Sequence, residues 1–308
     1  MTRALRAVPA ATMPLWDAVA CYLATLDHPE SAGTRKQYGS ILGRMAKGIG
    51  EESDVASVTA ADLAAWMKAT YAGKAPHTWN DARACLCSAW NWFGEAGWAE
   101  QGVPHSIRQR KVPQNRDRAI PADILDALLA DQRIPIRERA LWRFLLETAA
   151  RESEVLRLNV QDLDMAGRRA QVTRKGSARD WITWTASTSF LLPRMLQGRK
   201  TGPLFVTSRK ACTEVSLADM DPGGHGRLSA RQAQATFRKA TEGFPGGPYT
   251  LHQIRHRKLS DMAAQGASQA MLKAKSGHRS DKSLAIYALV SPDGLSAWEA
   301  EHDPKRRH

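Results

Sequence analysis

The chain has 308 residues, with 44 Lys and Arg against 31 Asp and Glu, a formal net charge of +13. That length holds one large or two medium domains with real cores, and a composition 43% hydrophobic and 24% charged excludes wholesale disorder. No apolar run approaches the roughly 20 residues of a membrane span, residues 1–16 are a poor secretion signal, and Cys21, Cys85, Cys87 and Cys212 form neither a disulfide framework nor a zinc site, so a cytoplasmic protein with reduced thiols is expected.

The first domain, residues 13–103, reads as a small helical bundle. MPLWDAVACYLATL carries Leu15, Val19, Tyr22 and Leu23 at helical spacing. Pro29 and Gly33 break the chain, and SAGTRKQYGSILGRMAKGI restarts it with Tyr38, Ile41, Leu42 and Met45 on one face. VTAADLAAWMKATY opens with Thr59 and has Asp62 three residues on, close to a capping box. A fourth helix, HTWNDARACLCSAWNWFGEAGW, brings Trp79, Leu86, Trp90 and Phe93 to the core.

Charge then steps up. Residues 1–102 hold 9 basic and 10 acidic side chains, whereas 103–308 hold 35 and 21. The step begins in VPHSIRQRKVPQNRDRAIP, where Arg108, Arg110, Lys111, Arg116 and Arg118 face one acid, Asp117, among three prolines. Residues 104–118 therefore read as a basic interdomain linker, suited to a protein that closes around a polyanion such as DNA.

The second domain, residues 119–308, reads as mainly α with a small antiparallel β-sheet. IPADILDALLADQ and RERALWRFLLETAARESEVLRL are helical by period. RAQVT and WITW look like short strands around a polar turn, KGSARD. Residues 207–228 read as irregular. SARQAQATFRKATE, HQIRHRKLSDMAAQG and QAMLKAKSG are again helical, and a tail, 291–308, follows.

No phosphate-binding GxxxxGK[ST] loop, GxGxxG, HExxH or GxSxG is present, and no carboxylate cluster awaits magnesium, so no cofactor is expected. What remains is a set of cations around one tyrosine. Arg151 has Glu154 three residues later, a support for its side chain. Lys175 sits at the hairpin tip with Arg179 following, and His252 and Arg255 share a helix face. His278 follows Gly277, and Tyr287 comes nine residues on. Singly, each has a plain structural reading: a surface ion pair, a solvated turn, a core ring.

Together and in this order they resemble the tyrosine recombinase (phage integrase) family. RESEVLRL matches its first-arginine motif, TRKGSARD its hairpin lysine, HQIRH its HxxR box, and GHRSDKSLAIY the segment from the second histidine to the tyrosine nucleophile. TRKQY and the helical first domain look like the family's core-binding domain, in the two-domain layout of Xer and Cre recombinases. Two departures are Ala149, where glycine is common, and Ser276, where an apolar residue often precedes Gly-His. A larger one is the nearly neutral first domain.

The resemblance implies a site-specific recombinase that cuts and rejoins DNA through a 3′-phosphotyrosine. Arg151 and Arg255 would fork onto the non-bridging oxygens, and His252 would take the proton of Tyr287. Lys175 would protonate the leaving 5′-oxygen and His278 would hydrogen-bond the phosphate. It also implies double-stranded DNA as partner, a homo-tetramer in the synapse and accessory DNA-bending proteins. Arg108, Arg110, Lys111, Arg116, Arg118 and Arg179 are candidates for DNA contact, and Leu295 and Trp298 in the tail for docking into a neighbouring protomer. Two other classes compete. A type IB topoisomerase usually has lysine where His252 stands, and a non-catalytic DNA-binding protein predicts an eroded catalytic set, whereas this one is complete.

Overall fold

In a computed structural model, the structure describes residues 12–28, 31–100, 103–113, 119–174, 179–211, 216–277, 284, 296 and 299–300. The chain divides into two compact units, Met1–Gln114 and Asn115–His308. No helix among the described residues is long and apolar enough to cross a membrane.

In the first unit, α1 (Leu15–Thr25), α2 (Ala32–Ile49), α3 (Ala60–Tyr71) and α4 (Pro76–Glu95) bury the stripes expected of them. Leu15, Leu42, Met45, Leu63, Met67, Leu86, Trp90 and Phe93 form one core. Phe93 stacks edge-on against Tyr22, Trp90 and Trp92. The capping box at α3 is formed: Asp62 N donates to Thr59 Oγ1 at 3.2 Å, and Thr59 N donates to Asp62 Oδ2 at 2.9 Å. The Thr59 hydroxyl, which donates to Asp62 Oδ2 at 2.6 Å, and then the Thr59 N–H hold the Asp62 carboxyl below its ordinary range.

The stretch read as a linker departs from that reading over residues 104–113; residues 114–118, with Arg116 and Arg118, lie outside the described residues. Ile107 is buried in the first core, and α4 draws the following backbone alongside itself. Trp79 Nε1 donates to Arg108 O at 3.0 Å, and Asn80 exchanges two 2.8 Å bonds with the Arg110 backbone. The Arg110 guanidinium lies 3.8 Å over the Trp79 ring and donates to Ala72 O at 2.9 Å and Lys74 O at 3.3 Å. A cation here complements the negative end of α3. Arg110 thus serves the fold of the first unit, while Arg108 and Lys111 remain exposed.

The second unit is built on α5 (Ala122–Ala130), α6 (Ile136–Thr148), α8 (Ala186–Leu196), α9 (Ala230–Thr241) and α10 (Leu251–Ala264). Between α6 and α8 lie the short α7 (Glu152–Leu156) and a three-stranded antiparallel sheet, β1 (Leu163–Asp164), β2 (Arg169–Thr173) and β3 (Arg179–Thr183). Alternation puts Ala170, Val172 and Ile182 into the core with Trp142, Phe144, Phe205 and Phe237. The second strand starts at Arg179, two residues before WITW.

Two further departures have local causes. The run 137–158 is not one helix: Ala149 takes a left-handed conformation, φ 51°, and ends α6. Within 207–228 a second antiparallel pair forms, β4 (Val206–Lys210) with β5 (His225–Arg227). Its register is irregular, and Arg227 fastens it by donating to Leu156 O at 3.0 Å and Leu158 O at 3.1 Å. The described chain continues to α11 (Gln269–Ser276).

Candidate active site

The site starts from the break at Ala149. Because α6 ends there, Arg151 is extended backbone at the N-terminus of α7 and not part of a helix. Glu154 closes on it twice, accepting from Arg151 N at 2.9 Å and from Arg151 Nη1 at 2.8 Å. Glu154 is buried, whereas the Arg151 side chain is 38% exposed. The carboxylate therefore aims the guanidinium and leaves part of it open to an anion.

Arg255 approaches the same turn from α10 and is only 2% exposed. Its Nη1 donates to Ala149 O at 2.5 Å, and its Nη2 donates to Ser276 O at 2.8 Å. One guanidinium thus ties the strut that carries Arg151 to the end of α11, directly before Gly277 and His278 in sequence. His252, one turn earlier on α10, is exposed; its ring meets that of buried His256 at 4.6 Å, nearly perpendicular. Beneath these residues Ala149, Leu259, Leu272 and Leu284 form a small apolar cluster. Leu284 is three residues before Tyr287.

Of the six residues expected to do chemistry, Arg151, His252 and Arg255 are described. Lys175, His278 and Tyr287 lie outside the described residues, as do Leu295, Trp298 and Cys212. Arg179 is exposed at the start of β3.

The structure adds residues that the sequence reading passed over. Arg174, immediately before Lys175, is 8% exposed, with Nε 2.8 Å from Asp180 Oδ2. Lys275 on α11 donates to Thr183 O at 2.9 Å, and Glu147 at the end of α6 accepts from Thr185 N at 2.8 Å. These bonds join the hairpin base to α11 and α6. In the first unit, α2 exposes Lys36, Ser40, Arg44 and Lys47, spaced four, four and three and so on one face. The four-residue repeat of polar side chains was the available signal.

Burial pulls the Lys275 amine down to about 8, with Lys258 adding to the shift and Glu147 opposing it. Below that pH the amine is charged in both folded and unfolded chains, and the folded state bears its desolvation. Above its ordinary value of 10.5 it is neutral in both. Its contribution to stability therefore rises between about pH 8 and 10.5. The unfolding midpoint of the unaltered protein should climb over that interval relative to Lys275→Met; a constant difference would contradict the assignment.

A guanidinium held by Glu154 and open on its far side is built for a planar, two-point grip on an oxyanion. Arg151→Lys keeps the charge and loses the fork. For the activity that the resemblance implies, single-turnover DNA cleavage should fall roughly 10²–10³-fold, while the melting temperature changes little, because a partly exposed pair contributes about 1 kcal/mol or less. Cleavage near the unaltered rate would exclude this grip.

Comparison with known proteins places this arrangement. Residues 120–293, more than half of the chain, match the model of the phage integrase family. The chain is 24% identical to the tyrosine recombinase XerD of Mycobacterium tuberculosis, over 92% of this chain and 95% of that protein. It is 26% identical to the tyrosine recombinase XerC of Mycobacterium bovis, over 92% and 96%. Among solved structures it resembles a lambda integrase tetramer bound to a Holliday junction, with TM-score 0.71 and 17% identity over 90% of this chain and 78% of that one. It also resembles the Tn1549 transposon integrase in complex with a circular intermediate DNA, with TM-score 0.68 and 15% identity over 94% and 99%. With its family model spanning α5 to beyond Tyr287 and its relatives matched nearly end to end, the chain belongs to the phage integrase family, the tyrosine recombinases.

Proposed function

We propose that the protein is a site-specific DNA recombinase that breaks and rejoins strands through a covalent 3′-phosphotyrosine at Tyr287. The observation that carries this reading is the pair of hydrogen bonds that Arg255 donates, one to Ala149 O and one to Ser276 O. It joins the turn before Arg151 to the turn before His278, so that cations far apart in sequence serve one phosphate.

Attack on a phosphodiester concentrates negative charge on its non-bridging oxygens, and fixed guanidinium groups stabilise that charge as metal ions do elsewhere. Arg151 supplies the open fork; Arg255, expected to fork onto the same oxygens, spends Nη1 and Nη2 on backbone carbonyls and works from behind it. A tyrosine, with a reference pKa near 10, needs cationic surroundings and an acceptor for its proton, and exposed His252 takes that part. Lys175 protonates the departing 5′-oxygen, and His278 holds the phosphate. The ester to Tyr287 conserves the energy of the broken bond, so rejoining needs no nucleotide.

The +14 balance of residues 103–308 supports a grip on the DNA backbone. On the first unit the exposed face of α2, with Lys36, Arg44 and Lys47, is the surface we assign to DNA. Arg108, Lys111 and Arg179 are exposed and suited to phosphate contact. The working assembly is a tetramer on two DNA sites in the cytoplasm, with Leu295 and Trp298 engaging a neighbouring protomer and DNA-bending proteins assisting.

The test is a set of nicked suicide duplexes drawn from DNA flanking the protein's own gene, incubated with excess chelator and no nucleotide. A covalent adduct on a denaturing gel is the expected result. Clear duplex binding with no adduct on any fragment would count against the reading.

A further inference from the structure

We propose that Arg174 is an additional phosphate-binding residue of this site, its guanidinium taking a non-bridging oxygen of the scissile phosphodiester. This inference rests on the recombinase reading above.

Arg174 leaves β2 immediately before Lys175, and its side chain is buried. Its Nε lies 2.8 Å from Asp180 Oδ2, but the approach is Coulombic: among the described residues Nε, Nη1 and Nη2 all lack a hydrogen-bond partner. The Asp180 side chain is 43% exposed and so shares its charge with solvent. A buried guanidinium with none of its N–H groups engaged is costly and calls for a counter-group.

Its position says what that group is. The guanidinium fills the space that a side chain at Gly277 would need: a β-carbon there would be 1.2 Å from Nη1 and 1.9 Å from Cζ. Gly277, at φ 63°, is the residue between Ser276, which Arg255 holds, and His278. Arg174 and Arg255 thus converge on one turn from β2 and α10. A carboxylate ligand would leave the donors filled without DNA; here they are kept for an anion that arrives with the substrate. A phosphodiester oxygen, planar-forked by a guanidinium, is that anion.

Arg174→Met keeps the bulk and removes the charge and donors. On a suicide duplex with an ordinary scissile phosphate, its single-turnover rate should fall about 10²-fold, with duplex binding within about threefold. A neutral methylphosphonate at the scissile position removes the charge that Arg174 serves. The ratio of phosphodiester to methylphosphonate cleavage should therefore drop about 10²-fold in the variant relative to the unaltered protein. Arg174→Lys, which retains the charge, should give the same shift reduced to about tenfold, and it serves if the methionine variant does not fold. An arginine that only packs against Gly277 slows both substrates equally, and that result overturns the proposal, as does an unchanged rate or a variant inert on methylphosphonate. If the unaltered protein forms no adduct on the ordinary duplex, the recombinase reading itself fails and this proposal falls with it.

Discussion

Tyr287→Phe should abolish the covalent protein–DNA adduct, lowering its formation by at least about 10⁴-fold, the scale on which loss of a nucleophile acts. The substitution removes one hydroxyl and keeps the ring. Binding to the duplex should stay within about twofold, because it comes from arginines and lysines that the change does not touch. Filter binding and a denaturing gel on the same samples separate the two effects. An adduct that survives would mean that another residue attacks the phosphate.

The second large effect is expected at Arg255. Arg255→Ala leaves the carbonyls of Ala149 and Ser276 without this donor in a buried place, at about 1–3 kcal/mol each, and opens a cavity besides. The protein should lose roughly 3–6 kcal/mol of stability, a fall of about 10 °C or more in melting temperature. Cleavage should disappear, because the turn carrying Arg151 is no longer tied to the turn before His278. Arg255→Lys keeps a charge but cannot span two carbonyls. It should recover part of the stability and little of the cleavage. An alanine variant with unchanged melting and near-normal cleavage would show that the two bonds do not hold the site.

These effects concern residues whose types were legible in the sequence while their arrangement was not. Helices α1 to α4 follow from apolar spacing, and the cap at α3 from Thr59 and Asp62. The break at Ala149 is hidden, because apolar residues keep helical period through it and alanine is a strong helix former. Its one signal was Glu154 three residues after Arg151, half of a capping box at a position where arginine is an unusual first residue. The place of Arg110 in the fold is hidden for a related reason. A basic, proline-punctuated stretch looks like a linker, and composition cannot show that its guanidinium stacks on Trp79 and caps α3.

The β4–β5 pair escaped because VTSRK and HGR are short, polar and nearly without alternation, and the pairing is fastened by Arg227 rather than by an apolar face. α8 was passed over beside Pro193 in its last turn. Arg174 was concealed by its neighbours: within TRKGSARD it is one cation among three, and only its burial against Gly277 distinguishes it. The ordered set from Arg151 to Tyr287 stands out in the sequence as a resemblance, because a shared chemistry asks for one residue type at each position, whatever the packing around it.

In the proposed mechanism Tyr287 becomes joined to DNA. The adduct formed on a suicide duplex can be digested with nuclease and trypsin, and the peptide that retains a nucleotide identified by mass spectrometry. Cleavage after Lys282 and Lys305 gives the peptide 283–305, in which Tyr287 is the sole tyrosine. Nucleotide on that peptide, with fragmentation placing it on Tyr287, is the expected result. Nucleotide on any other peptide, or on a serine of this one, would contradict it.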